Sequence, residues 1–115
     1  MRLRNAAVAA LGALALVVTI PSSASAAIGE FSYSYVGLDG RTHRRVLLDP
    51  ESRECITLDE VADPDASEPA HSPRNRTTSG ATVFTEPGCE GDFFSLRPLT
   101  GRGGESLKLR SVVFS

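Results

Sequence analysis

The chain has 115 residues, 41% of them hydrophobic and 23% charged, a length that suits one domain and no more. Its formal net charge is −2, and without an N-terminal leader ten Lys and Arg face fourteen Asp and Glu, giving −4. This mildly acidic balance argues against a dedicated nucleic-acid binder, which carries a basic surplus.

The first residues are expected to be removed. Arg2 and Arg4 precede the apolar run Ala6 to Ile20, Pro21-Ser22-Ser23 breaks it, and Ala24-Ser25-Ala26 has the small-residue spacing of a cleavage site. This is the pattern of a secretory signal peptide, expected over residues 1–26, so that the exported form starts at Ala27 or Ile28. The run is shorter than the ~20 residues a membrane-spanning helix needs, and the mature chain is expected to be extracellular with no transmembrane segment. Both cysteines, Cys55 and Cys89, lie in the mature part. An even count in an exported chain favours a disulfide. No C-x-x-C occurs, and His43 and His71 stand apart, so a thiol catalyst or a metal site is the weaker reading.

From residue 27 the pattern is β throughout. A short frayed lead-in is expected to Glu30. Phe31 to Val36 alternates apolar with small polar residues, which predicts a strand with one buried face. Asp39-Gly40 is a hairpin-turn signal, and Thr42 to Leu48 is the returning strand. Asp49-Pro50-Glu51-Ser52 has turn chemistry, and Glu54 to Leu58 makes a short third strand around Cys55. Asp59 to Gly80 reads as irregular. Its acidic part, about 59–69, has little to bury and is expected to be a mobile loop, the first place cut by a protease. Ala70 to Asn75 is expected to be an edge strand, where Pro73 is tolerated, and Asn75-Arg76-Thr77 fits a glycosylation sequon. The organising stretch is Ala81 to Ser115. It holds strands at Ala81 to Thr85, at Asp92 to Pro98 with Phe93, Phe94 and Leu96, and at Ser106 to Phe114. The last is expected to place Leu107, Leu109, Ser111 and Val113 on one face.

Sequence signatures of catalysis are missing. There is no H-E-x-x-H, no G-x-S-x-G and no P-loop. Gly101-Arg102-Gly103-Gly104 joins two strands and reads as a flexible hairpin. The expectation is a non-enzyme without cofactor or metal.

The spacing of one further pattern resembles a known family. Phe84-TEPG-Cys89-Glu90-Gly91, closed by Ser111, resembles the Greek-key motif of βγ-crystallins, with Cys89 in place of the second aromatic. Tyr33-SYVG-Leu38-Asp39-Gly40, closed by Ser72, is a weaker copy. Gly at the eighth position lets a folded-over hairpin take positive φ, and the serine hydroxyl can bond the turn backbone. The resemblance implies an all-β, βγ-crystallin-like sandwich of two Greek-key motifs over residues 27–115, with Tyr33, Leu38, Gly40, Ser72, Phe84, Gly91 and Ser111 as its structural residues. It places Cys89 where a core aromatic stands, which would aim its sulfur inward. The chain is also similar to small exported actinobacterial proteins of this fold, a group that includes a metalloproteinase inhibitor and a killer-toxin-like protein.

Many βγ-crystallin domains bind calcium, which wants roughly six to eight oxygen ligands. Here the corresponding positions are Ser106 to Ser111 and Ser67 to Ser72. They hold Lys108, Arg110 and His71 and only one acid, Glu68, so no calcium site tighter than millimolar is expected. Functionally, the chain is expected to be a non-catalytic extracellular binding or inhibitory module. The alternatives are a stress-resistant structural or cell-surface protein and an antimicrobial, killer-toxin-like protein. A monomer is expected, with an extracellular protein as partner and Arg41, His43, Arg44, Arg45 and Arg102 as the candidate partner surface.

Overall fold

The computed structural model describes residues 25–115. The leader expected over residues 1–26 lies outside the described residues up to residue 24. Nine strands follow: β1 (Gly29–Val36), β2 (Thr42–Leu48), β3 (Cys55–Thr57), β4 (Ala70–Thr77), β5 (Ala81–Glu86), β6 (Glu90–Leu96), β7 (Gly101–Arg102), β8 (Lys108–Leu109) and β9 (Ser111–Phe114). A 3-10 turn at Asp59–Val61 is the one helical element among the described residues.

The strands form two antiparallel sheets packed as a sandwich. One runs β2-β1-β4-β7 with β8 also on β4, and the other runs β3-β9-β5-β6. The two halves of the chain exchange strands. Residues 29–77 give β1, β2 and β4 to the first sheet but β3 to the second. Residues 81–114 give β5, β6 and β9 to the second but β7 and β8 to the first.

The core lies between the sheets. Phe31 and Tyr33 of β1 meet Phe114 of β9, and the Phe31 and Phe114 rings stack edge to face at 5.3 Å. Val83, Val112, Leu96, Leu109, Leu58 and Val61 complete it. The alternation in β1 is realised, with Phe31 and Tyr33 inside and Glu30 and Val36 outside. The core is therefore shared between halves and not centred on Ala81 to Ser115 as expected. Phe93 and Phe94 are 70% and 52% exposed, because β6 is an edge strand paired only with β5.

Three other expectations need correction. The run Ser106 to Phe114 is not one strand. It changes sheets at Arg110, whose N–H donates to Phe84 O and whose carbonyl accepts from Leu58 N. Inside-outside parity flips at that point, so Leu109 and Ser111 are buried but Val112 and Phe114 follow them, while Val113 is only half-buried. Leu107 packs only at the core's margin. Next, β4 is central, with β1 on one side and β7 and β8 on the other. Pro73 is tolerated there because β4 is irregular at Ser72, with φ +53°, and Pro73, neither of which has a ladder partner in β1, β7 or β8. The Pro73 carbonyl still accepts from Gly103 N at 3.0 Å. The lead-in is not frayed either: Ala27 is buried and donates to Pro50 O.

Asn75, read as a sequon residue, is fully buried. Its Nδ2 donates to Ser79 O at 2.8 Å and Arg97 O at 2.9 Å, and its Oδ1 accepts from Thr77 N and Thr77 Oγ1. The amide is consumed by the turn that joins β4 to β5, so a glycan there is incompatible with the folded chain. Asn75→Ala leaves the Thr77 N–H without an acceptor in the interior and takes one donor from each of Ser79 O and Arg97 O, which keep Thr77 Oγ1 and Gly101 N. At roughly 1–3 kcal/mol for each buried group left unpaired, partly relieved by relaxation, the expected loss is about 2–3 kcal/mol. Urea unfolding of the variant reads it, and an unchanged midpoint refutes the account.

Candidate functional site

Two hairpin ends differ in how they are held, and that difference locates the candidate site. The β5–β6 hairpin is closed. Its turn folds back over β9, where Ser111 Oγ donates to Glu86 O at 2.6 Å and accepts from Cys89 N at 2.8 Å. Gly88 N donates to Thr57 Oγ1 on β3, and the Cys55–Cys89 disulfide, with Cα atoms 5.9 Å apart, fixes the turn to that edge strand. Gly91 has φ +85°, and a Cβ there would collide with Thr85 Oγ1 and Glu86 Cγ, so glycine is required. Phe84 lies opposite Ser111 and packs on Phe93, with ring centroids 6.1 Å apart. The expectation that Cys89 points into the core is corrected: Cys55 is exposed and Cys89 half-buried, since the bridge crosses the outer end of the sheet.

The β1–β2 hairpin is open. Gly40 has φ +77° and a Cβ there would meet nothing, so its role is the turn conformation alone. Leu38, expected to pack in the turn, is fully exposed at its tip. Ser72 does not reach the hairpin, and its Oγ meets His71 Nδ1 at 2.8 Å. Arg44 ties this half instead, donating to Ser34 Oγ, Ser32 Oγ and Ser72 O.

Beside this open hairpin lies a cleft of about 800 Å³. One wall is Tyr35, Val36, Leu38 and His43, and the other is the 59–68 segment with Asp59, Glu60, Asp63 and Glu68. The Tyr35 and His43 rings stack at 5.6 Å, and His43 Nε2 contacts the Asp39 carboxylate at 3.0 Å. The backbone N–H of Arg41, then His43, hold the Asp39 carboxyl below its ordinary range. The far wall is pinned, against the expectation of a mobile loop with little to bury. Val61 is buried, and Arg110 donates to Val61 O, Ser67 Oγ and Ser67 O.

Glu60 links the two walls. It accepts from the Tyr33 hydroxyl at 2.6 Å and from the Arg45 guanidinium. Burial, then the bond to Glu60, pushes the Tyr33 phenol well above its ordinary value. Burial disfavours the Glu60 carboxylate too, but the Tyr33 hydroxyl, a backbone N–H and Arg45 outweigh it and hold the pKa below the usual range. A group with a depressed folded pKa contributes stability that is complete above the unfolded value, about 4.3, and is lost as pH falls through the folded value. The stability difference between the native protein and Glu60→Gln is therefore expected to be constant at neutral pH and to shrink below about pH 4. Urea midpoints across pH 2–7 measure it. A difference that does not shrink on acidification contradicts this linkage.

The expected partner surface does not form one patch. His43 lines the cleft and Arg45 shares its face of β2, with Tyr35 and Tyr33 as their cross-strand partners. Arg44 lies on the opposite face of β2, and Arg102 on β7 shares that face through its pairing with Arg74. Alternation along β2 separates neighbours that sequence reasoning grouped. Among the described residues no three His, Cys, Asp or Glu converge on a possible metal position. Among the described residues no hydrogen bond joins an acid to His71, whose Nδ1 meets Ser72 Oγ. Glu60, Tyr35 and Arg110 were missed by sequence reasoning. The tyrosine alternation signalled Tyr35, but nothing local signals that Glu60 meets Tyr33 or that Arg110 turns inward.

No helix among the described residues is long and apolar enough to cross a membrane. The architecture defines the class of molecule, an all-β two-sheet sandwich with one disulfide. Comparison with protein-family models, curated proteins and solved structures finds no match.

Proposed function

We propose that this chain is a βγ-crystallin-like sandwich of two intertwined Greek keys. In this reading it acts outside the cell as a non-catalytic binding or inhibitory module for a protein partner. The strand exchange supports the fold part, since each half lends its third strand to the other half's sheet. Ser111, closing a folded-over hairpin, supports it again. The leader pattern of residues 1–26 and the disulfide support export.

One observation carries the binding part. Leu38 stands fully exposed on a hairpin whose backbone is fixed by Gly37 N to Arg41 O and Gly40 N to Gly37 O. An apolar side chain on a rigid tip, above an open cleft, is the kind of anchor that binding loops on rigid scaffolds use. Anchor residues of this kind are worth about 2 kcal/mol or more on truncation. Leu38→Asp is expected to weaken partner binding more than tenfold while leaving the thermal midpoint unchanged, because Leu38 packs on nothing. Immobilised wild-type and variant protein, challenged with culture supernatant and with a panel of secreted proteases, test this. If the wild type retains no secreted protein and inhibits no protease, the structural-protein reading replaces it.

A further inference from the structure

The outer face of the first sheet is basic in a protein of acidic balance. Arg44, Ser34 and Ser32 are followed across the sheet by Arg74, Arg76 and Arg102. The register sets Arg44 opposite Ser34, Arg74 opposite Ser32 and Arg102 opposite Arg74. Cross-strand neighbours lie about 5 Å apart and alternate residues of one strand about 6.6 Å apart, so these cations are held close. Glu30, opposite Arg76, is the one carboxylate that the register brings onto this face, and no ion pair forms between them. Arg74, Arg76 and Arg102 make no side-chain ion pair among the described residues. The Arg44 guanidinium is held below its ordinary range, by partial burial first and then by Arg74 and Arg76.

Three of these arginines surround one hollow. It measures about 620 Å³ and is lined by Arg74, Arg76, Leu99, Thr100, Gly101 and Arg102. The turn that forms its rim is fixed by its backbone. Leu99 has φ +66°, its N–H donates to Thr77 O at 2.9 Å, and Gly101 N donates to Arg97 O at 3.1 Å. A left-handed leucine costs of order 1 kcal/mol or more, and here the hydrogen bonds hold its side chain 60% exposed beside the guanidinium groups.

We propose that this hollow is a recognition site for an organic phosphate monoester. Charge decides the class. A carboxylate occupies one guanidinium fork and leaves two like charges facing each other, and a sulfate ester carries one charge. A phosphate monoester carries about −1.5 to −2 at neutral pH and offers three acceptor oxygens. It can engage more than one fork in the bidentate manner that arginine favours. Leu99 supplies an apolar contact for the carbon part of the ester, and Thr100 adds a hydroxyl to the lining. The site is separate from the β1–β2 hairpin, so it can fail while the protein-binding reading stands, and the reverse.

Phenyl phosphate, phenyl sulfate and benzoate are titrated into the folded chain and followed by calorimetry. Phenyl phosphate is expected to bind at least tenfold more tightly than the other two and to be displaced by inorganic phosphate. Arg74→Gln and Arg102→Gln are each expected to lose tenfold or more with an unchanged thermal midpoint. Arg53→Gln, remote from the hollow, binds as wild type. Sedimentation with phosphatidic acid vesicles, against phosphatidylcholine alone, separates the sources. Retention that phenyl phosphate competes away assigns a lipid headgroup, and no retention beside phenyl phosphate binding assigns a soluble ester. Equal binding of phosphate, sulfate and carboxylate, wild-type binding by both glutamine variants, or no phenyl phosphate binding at tens of millimolar overturns the proposal.

Discussion

Arg110→Met is expected to destabilise the folded chain by about 3–5 kcal/mol, at 1.5–3 kcal/mol for each hydrogen bond from a charged donor less some relaxation. Arg110 is only 6% exposed and has no carboxylate partner. Its charge is spread over oxygens instead, with Nη1 to Val61 O at 2.9 Å and Ser67 Oγ at 3.1 Å, and Nη2 to Ser67 O at 2.7 Å. Methionine keeps the apolar stem and removes the fork, so the two carbonyls stay buried without donors. The effect is directional as well. The 59–68 wall of the cleft loses its anchor, and limited proteolysis of the variant is expected to begin between Ala62 and Ser67 before any other segment is cut. Arg110→Lys keeps the charge but not the fork geometry and is expected to recover part of the loss. A methionine variant within about 0.5 kcal/mol of wild type, the range of an inconsequential surface change, refutes the anchoring role.

Reduction of Cys55–Cys89 is expected to cost about 3–4 kcal/mol, from the chain entropy of a loop of this length. The bridge spans 34 positions. For a domain this small each kcal/mol moves the midpoint by about 4–8 °C, so a fall of roughly 15–25 °C is expected. Scanning calorimetry with and without reductant measures it. The bridge lies across the outer end of the second sheet, so its loss leaves the core residues in place, and the Ser111 bonds to Glu86 O and Cys89 N still define the turn. The reduced protein is therefore expected to fold to the same structure at low temperature. An unchanged midpoint shows that the turn needs no covalent link.

Much of this architecture was legible from local pattern. Phe31 to Val36 showed its buried face by alternation, and Asp39-Gly40 marked a turn that the structure contains. The disulfide followed from an even cysteine count. What was not legible depends on neighbours distant in sequence. Phe93 and Phe94 look like core residues until β6 is known to be an edge. Pro73 looks like an edge marker until the ladder of β4 is seen to break at Ser72 and Pro73. Leu-Lys-Leu-Arg-Ser reads as one alternating strand, and only the crossing between sheets at Arg110 turns that side chain inward. The candidate site was the least legible part. It pairs a hairpin near residue 38 with an acidic segment twenty residues later, through a Tyr33–Glu60 bond that no local signal announces.

The strand exchange also sets the order in which the chain can fold. The first sheet is unfinished until residues 101–109 arrive to cover β4, and the second needs β3 from the first half as its far edge. A chain made from its N-terminus therefore cannot close either sheet around residues 29–77 alone. Long-range pairing of this kind is slow, because the loop entropy is spent before the contacts form. The first half is therefore expected to stay open until residues 101–109 have been made. A fragment ending near Gly80 is likewise expected to stay unfolded, since its β4 has neither β7 nor β8 beside it.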